Sequence, residues 1–123
     1  MNNETKKRDV RRHRRTMRVR KAVRGSAVKP RLCVCKTNMH ISAQLIDDET
    51  GLTLASAGTM HKDFRSTQFA RKSKEAARQV GIKIAEIAKT KNIECAVFDR
   101  GHHKYHGILA ELANGARESG LKF

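Results

Sequence analysis

Hydrophobic and polar residues alternate along three short segments in the first half of the chain. Such alternation is typical of strands with one buried face, and it predicts β-strands over 31–36, about 39–47 and about 52–57. The second strand has an apolar face and a face able to hydrogen-bond a partner: Ile41, Ala43 and Leu45 against His40, Ser42 and Gln44. An acidic turn, Asp47 to Gly51, separates it from the third strand. We therefore expect an antiparallel meander.

Helical spacing replaces this alternation in the second half of the chain. Apolar residues recur every three or four positions there, at Ala77, Val80, Ile84, Ile87 and Ala88. This spacing predicts an amphipathic helix over about 72–90 that ends near Asn92. Between the third strand and this helix, from Gly58 to Ala70, neither pattern holds, and we expect a loop or short helical turns.

The last third of the chain predicts one more strand and one more helix. Ile93 to Phe98 is a compact apolar run, and because it follows a helix we expect it to return in parallel to the sheet. A second amphipathic helix is expected over about 107–119, with Gly120 in a left-handed cap and Leu121 folded back. The predicted fold is α/β (an α+β sandwich) in the order βββαβα, with one mixed sheet, two helices on one face and a basic N-terminal arm.

The N-terminal arm has a different composition from the rest of the chain. Thirteen of the 27 lysines and arginines lie in the first 31 residues, with only Glu4 and Asp9 among them. Such a segment cannot offset its ordering entropy by burial, and its like charges repel, so it requires a polyanionic partner. We therefore expect a basic RNA-binding arm over 1–29, helical or disordered when free, and a globular domain over 30–123. Gly25 is expected to loosen the backbone at this boundary.

Arginine is well suited to the arm's expected partner, because its planar fork grips phosphate oxygens. If the arm is helical, five arginines share one face that could follow a phosphate groove: Arg8, Arg11, Arg12, Arg15 and Arg18. The candidate RNA-binding residues of the arm are Lys6, Lys7, Arg8, Arg11, Arg12, Arg14, Arg15, Arg18, Arg20, Lys21 and Arg24. A solubilising tail is the alternative. A mitochondrial transit peptide is disfavoured because Ser26 is the arm's single serine.

Aromatic residues and cysteines narrow the class of protein further. Aromatic residues make up 4% of the chain, which argues against a stacking platform for single strands and favours contacts with folded or duplex nucleic acid. Three cysteines without an export signal are expected to be reduced thiols in the cytosol. No stretch approaches the roughly 20 apolar residues of a membrane span.

A polar loop between Asp99 and Gly107 contains three of the six histidines. His102 and His106 are four positions apart, but the surrounding glycines indicate a loop, so we expect hydrogen-bond donors to phosphates and 2′-hydroxyls, and no metal or cofactor. The candidate RNA-binding residues of this loop are Arg100, His102, His103, Lys104, Tyr105, His106 and Gly107. Those of the first two strands are Arg31, Lys36, Asn38 and His40.

The sequence offers no convincing catalytic group. Adjacent carboxylates in the turn over 47–49 should diverge, and the cysteines lie in predicted strands, where they are usually small buried hydrophobes. Asp99, at the end of a predicted strand, is better placed for catalysis. An ion pair with Arg100 or a cap on the following loop is, however, a simpler explanation for an aspartate at this position. We expect no enzyme. A small metal-dependent nuclease that uses Asp99 is the alternative in that class.

The chain closely resembles bacterial ribosomal protein L18 at its carboxyl end, where FDRG, YHG and AELANGARESGLKF follow one another over 98–123. The stretches KPRLCVCK and AQLIDD agree as well, and the basic arm matches in position, so the resemblance covers essentially the whole chain. The sequence departs from the family's usual pattern at Ser42, where an aromatic is common, at His102 and His103, and at Ile108, where arginine is usual.

This resemblance implies a non-catalytic, cytoplasmic component of the large ribosomal subunit. Such a protein would bind 5S rRNA and help attach it to 23S rRNA in the central protuberance. Ribosomal protein L5 and other central protuberance proteins would be its neighbours, with no membrane and no obligate homo-oligomer. The arm would order as a helix against RNA. Composition alone leaves open a free-standing, sequence-tolerant architectural or chaperone protein that binds RNA or DNA.

Overall fold

The computed structural model describes residues 3–65, 67, 72–101, 105 and 107–123. Its elements are α1 (Asn3–Ala22), β1 (Arg31–Lys36), β2 (Ile41–Asp47), β3 (Leu52–Gly58), α2 (Lys62–Arg65), α3 (Lys74–Thr90), β4 (Val97–Asp99) and α4 (Ile108–Glu118). The predicted α+β fold and its βββαβα order are confirmed, with α2 as a short helical turn between β3 and α3. No helix in these ranges is long and apolar enough to cross a membrane.

The four strands form one mixed sheet in the order β3-β2-β1-β4. The meander β1-β2-β3 is antiparallel, and β4 pairs in parallel with β1, as predicted. β4 is shorter and later than the predicted strand over 93–98, because the end of the chain pairs with the residues before it. The Ala96 N–H donates to the Lys122 carbonyl (2.8 Å), and the Lys122 N–H donates to the Glu94 carbonyl (3.0 Å).

One face of the sheet packs against the helices. Leu32 lies opposite Leu45, and Val34 opposite Ala43, and all four side chains are buried in a core shared with α3 and α4. The two helices approach each other so closely that a Cβ at Gly81 would overlap the Leu112 carbonyl oxygen. The opposite face of the sheet is not covered by α3 and α4, so it can contact other parts of the chain or a partner.

The helix ends follow local capping rules, and those at Asn92 and Gly120 were predicted from the sequence. Ser73 caps α3, since its hydroxyl accepts a hydrogen bond from the Ala76 N–H (3.0 Å). Asn92 has a left-handed φ of 60° directly after Lys91, the C-cap of α3. At the end of α4, Gly120 has a φ of 104°, and the Leu121 N–H donates back to the Ala116 carbonyl, which is the predicted cap.

Candidate nucleic-acid interface

Helix α1 carries the cationic surface of the protein. All eleven candidate lysines and arginines between Lys6 and Arg24 are exposed in the structure. At 100° per residue, the five arginines that were predicted to share a face lie within an arc of about 120°. The arm is thus a helix whose guanidinium groups point outward at a density suited to a phosphate backbone.

The end of this helix is attached to the globular domain through Asp99. Arg20 Nε lies 3.4 Å from Asp99 Oδ2, and Arg31 Nη1 lies 2.6 Å from the same oxygen. The Asp99 side chain is fully buried, whereas the Arg20 side chain is 44% exposed. A surface cation of the arm therefore meets a buried carboxylate at the edge of the sheet.

Arg31 differs from the other candidate residues because it is buried. Its Nε and Nη2 each lie 3.0 Å from a carboxylate oxygen of Asp48, in addition to its contact with Asp99. The hydrogen bond to Asp48 raises the pKa of the guanidinium, against the opposing effect of burial, and that to Asp99 adds to it. The same hydrogen bond lowers the pKa of Asp48. The guanidinium predicted to face RNA is therefore engaged by two acids of its own chain.

The segment between α1 and β1 is held by Asp48 as well. The Gly25 N–H donates to Asp48 Oδ2 (2.8 Å), and the Asp48 N–H donates to the Gly25 carbonyl (3.2 Å). A Cβ at Gly25 would overlap the backbone nitrogen of Arg31. The expectation that Gly25 loosens the boundary is wrong, since glycine is required here for close packing. The neighbouring Asp47 side chain points the other way, into the turn between β2 and β3, where its Oδ1 accepts a hydrogen bond from the Glu49 N–H (3.0 Å). The carboxylates of Asp47 and Asp48 therefore diverge, as predicted.

The sheet face opposite the helices is small and polar, and we call it the open face. Cys33 lies opposite Gln44, Cys35 opposite Ser42, and Gln44 opposite Ser56, so that these five residues form a patch of hydroxyl, thiol and amide groups. Cys35, Gln44 and Ser56 are exposed, and Cys33 and Ser42 are half-buried. Burial raises the pKa of the Cys33 thiol, with a contribution from Asp99. All three cysteines are free thiols.

The turn between β1 and β2 presents three predicted contact residues. Asn38 is exposed, while Lys36 and His40 are partly buried. His40 Nδ1 lies 2.9 Å from the hydroxyl of Thr59, a fully buried residue, and this contact fixes the orientation of the imidazole ring. The turn thus offers oriented polar groups at the end of β1.

The loop after β4 begins with a cap from Asp99, as predicted. Asp99 Oδ1 accepts a hydrogen bond from the Gly101 N–H (2.8 Å), and Gly101 has a left-handed φ of 61°. Arg100 is exposed. Four further predicted contact residues of this loop lie outside the described residues: His102, His103, Lys104 and His106.

Tyr105 in this loop is held by an aromatic cluster that sequence inspection missed. Its ring meets Phe98 edge-on at 5.4 Å, and Phe98 stacks on Phe123 at 5.7 Å. The Tyr105 hydroxyl accepts a hydrogen bond from Arg117 Nη1 (3.2 Å). The tyrosine is nevertheless 44% exposed, so one side of its ring is available to a partner. Ile108, where an arginine is usual, packs against the core.

The fold thus brings the arm end, the open face and the start of the loop to one side of the molecule, because Asp99 pairs with Cys33 in the β1–β4 ladder. Among the described residues, no three His, Cys, Asp or Glu side chains are grouped so as to hold a metal ion. This is a small α+β protein with a cationic helix and a polar sheet face, the class of protein that binds a polyanion through phosphate and shape contacts.

Comparisons with known proteins give the family. Residues 6–123 match the family model described as "Ribosomal L18 of archaea, bacteria, mitoch. and chloroplast". The chain is 58% identical over 123 residues to the large ribosomal subunit protein uL18 of Protochlamydia amoebophila, with both chains fully covered. It is 50% identical over the same length to that of Chlamydia caviae, and 53% identical over 110 residues, 89% of each chain, to that of Chlamydia trachomatis serovar D.

The chain belongs to the ribosomal L18 family. The resemblance seen in the sequence is confirmed, and with it the expectation of a structural, non-enzymatic component of the large ribosomal subunit. As such a component, the protein is located in the cytoplasmic ribosome and takes part in rRNA binding and translation.

Proposed function

We propose that the protein binds 5S rRNA and helps attach it to 23S rRNA in the central protuberance. The observation that carries this proposal is the placement of the cationic helix α1 beside the open face and the first residues of the loop, Arg100 and Gly101, through the Arg20–Asp99 contact. A polyanion that follows α1 would reach this polar surface at the end of the helix. Ribosomal protein L5 and other proteins of the central protuberance are the proposed neighbours, as the family resemblance implies.

The arm supplies affinity in this proposal. Its exposed guanidinium and ammonium groups contact phosphates, which are the same in every sequence, so they favour RNA in general over any particular RNA. We propose that residues 1–29 act as this arm and residues 30–123 as the globular 5S rRNA-binding domain. The structure supports the helical form of the arm over 3–22.

The globular domain supplies discrimination. Its proposed contact residues are Lys36, Asn38, His40, Arg100, Tyr105 and Gly107, together with His102, His103, Lys104 and His106, which stay predictions from the sequence. The open face adds hydroxyl, thiol and amide groups that can contact sugar and base edges of folded RNA. Arg31 is not among the proposed direct contacts, because its guanidinium is paired with Asp48 and Asp99.

Competition binding tests the proposal. Labelled 5S rRNA bound to the full-length protein is displaced by unlabelled 5S rRNA, transfer RNA or duplex DNA at a fixed salt concentration, because affinities for nucleic acid depend steeply on salt. We expect 5S rRNA to compete at a much lower concentration than the other two. Equal competition by all three would indicate a sequence-tolerant binder and contradict the proposal.

A further inference from the structure

The carboxylate of Asp99 joins three separate parts of the molecule. Its Oδ1 accepts the Gly101 N–H (2.8 Å) at the start of the loop. Its Oδ2 contacts Arg31 Nη1 (2.6 Å) in β1 and Arg20 Nε (3.4 Å) at the end of α1. The arm helix and the loop, which are separated by 79 positions between Arg20 and Asp99, thus share one buried side chain.

A second acid fixes the chain between these parts. Asp48 accepts the Gly25 N–H and both the Nε and Nη2 of Arg31, so the segment from the end of α1 to β1 is held where it passes the sheet. Arg31 lies between the two carboxylates and bonds to both. The path of the segment from α1 to β1 is therefore set by the Gly25–Asp48 hydrogen bond and by the buried or partly buried ion pairs of Arg31, in which loss of one partner costs more than in exposed pairs.

Arg20 is not needed to neutralise Asp99. A buried carboxylate requires an opposite charge and hydrogen bonds, and Arg31 Nη1 and the Gly101 N–H already supply both. The Arg20 side chain is also 44% exposed, and its removal leaves Asp99 with both of these partners. The contact from Arg20 therefore directs the helix, while the stability of the sheet rests on Arg31.

We propose that Asp99 acts through Arg20 and Arg31 to hold the end of the arm helix at a fixed position relative to Gly101, where the loop begins, so that the arm and the polar surface beside it meet one RNA in one register. This inference rests on the proposed RNA-binding function. Arg20 is then a positioning residue, unlike the neighbouring arginines that contact phosphate. Its effect on affinity arises because a helix already oriented loses less freedom on binding.

The matched variants Arg20→Gln and Arg18→Gln distinguish a positioning role from a simple contribution of charge. Each removes one positive charge from the last turns of α1, but of these two arginines Arg20 is the one that contacts Asp99. In the free full-length protein, amide hydrogen exchange at Val23, whose N–H donates to the Val19 carbonyl, is measured for both. We expect exchange to be about two- to five-fold faster in Arg20→Gln, the range for a partly exposed ion pair, and unchanged in Arg18→Gln.

The salt dependence of 5S rRNA binding gives a second readout. Loss of a phosphate contact lowers the slope of log affinity against log salt by about 0.7–0.9, so Arg18→Gln should reduce the slope by that amount. Arg20→Gln should weaken binding by about two- to five-fold with the slope unchanged. A lower slope with normal Val23 exchange in Arg20→Gln would show a phosphate contact and overturn the positioning role.

Asp99→Asn tests the shared side chain itself. The amide oxygen can still accept the Gly101 N–H, but the charge that attracts both arginines is lost. Because a neutral amide oxygen accepts a hydrogen bond more weakly than a carboxylate does, we expect faster exchange at both Gly101 and Val23, whereas Arg20→Gln affects Val23 alone. If Asp99→Asn does not fold, the comparison of Arg20→Gln with Arg18→Gln decides. Equal Val23 exchange in those two variants overturns this inference; unselective RNA binding overturns the proposed function and leaves the exchange result standing.

Discussion

The guanidinium carbon of Arg117 lies 4.5 Å from the centre of the Phe123 ring, so the last residue of the chain is stacked beneath a cation of α4. The same guanidinium donates to the Tyr105 hydroxyl and to the Phe123 carbonyl. Phe98 completes the cluster between the two other rings. The C-terminal residue therefore helps to hold Tyr105, a proposed RNA contact in a loop 18 positions earlier in the sequence.

Phe123→Ala should destabilise the protein and loosen Tyr105. Loss of a partly buried ring that stacks on Phe98 and faces Arg117 is expected to lower the free energy of unfolding by about 1–3 kcal/mol. Urea denaturation measures the change. Lys122→Ala, at an exposed neighbouring position, is the control and should stay within about 0.5 kcal/mol of the parent. Equal stability of the two variants would show that the ring contributes little.

Tyr105→Phe should weaken 5S rRNA binding without unfolding the protein. The hydroxyl accepts a hydrogen bond from Arg117 at an exposed position, and its loss should cost no more than about 1 kcal/mol of stability. Binding is measured by titration, and folding by circular dichroism. Arg100→Ala is expected to have the same effect through loss of a charge. Normal binding by both variants would mean that the loop supports the fold and does not contact RNA.

Gly81→Ala should be destabilising although alanine favours helices. A methyl group there overlaps the Leu112 carbonyl, and such overpacking typically costs about 1–3 kcal/mol, against a helix-propensity gain of about 1 kcal/mol. We expect a lower midpoint of thermal unfolding. Asn114→Ala on the exposed side of α4 is the matched control and should be neutral or slightly stabilising. A Gly81→Ala protein as stable as the parent would contradict the close α3–α4 contact.

Asp48→Asn should cost stability in a pH-dependent way. Because its hydrogen bond with Arg31 lowers the pKa of Asp48 in the folded protein, the charged form contributes fully above the unfolded-state value of about 4. That contribution is lost as the pH falls through the folded-state pKa. The difference in free energy of unfolding between parent and variant should therefore be largest near neutral pH and shrink below about pH 4. A pH-independent difference, measured by urea titration at several pH values, would exclude this ionic contribution; Glu49→Gln serves as control.

Cys35 should react with iodoacetamide before Cys33. Both side chains lie on the open face, but burial raises the pKa of the Cys33 thiol and so lowers its thiolate fraction, whereas Cys35 is exposed. Mass spectrometry of partially alkylated protein at mildly alkaline pH gives the two rates. In Cys35→Ser, peptide mapping separates the slow reaction of Cys33 from that of Cys95, the other remaining free thiol. Equal rates would mean that Cys33 is as accessible as its neighbour.

Local patterns predicted the elements well, and contacts between distant residues account for what they missed. The alternation over 31–36 predicted β1 with its observed ends. The helical spacing before Asn92 predicted α3 with its observed end and with a start two residues too early. β4 was placed too early because residues near Lys122 pair with the chain around Cys95, a contact that no local pattern encodes.

In the candidate site, too, local sequence features predicted part of the arrangement, and contacts between distant residues account for the rest. Charge density alone identified the arm, because every cation of α1 faces solvent. It could not distinguish Arg31, which is buried and pairs with Asp48 and with Asp99, 17 and 68 positions later in the sequence. The contacts of Tyr105 with Arg117 and Phe98, and of Phe98 with Phe123, could not be predicted either. The family motif identified these residues, but a sequence motif does not show which of its side chains are in contact.

The central claim is that the arm supplies affinity and the globular domain supplies discrimination. It is tested most directly in the full-length protein by replacing Arg8, Arg11, Arg12, Arg15 and Arg18 with glutamine. Affinities for 5S rRNA and transfer RNA are then measured over a range of salt concentrations. We predict weaker binding of both RNAs, a salt slope reduced by about four, and an unchanged preference for 5S rRNA. If the variant bound 5S rRNA and transfer RNA equally well, the arm would also supply discrimination, and the claim would be contradicted.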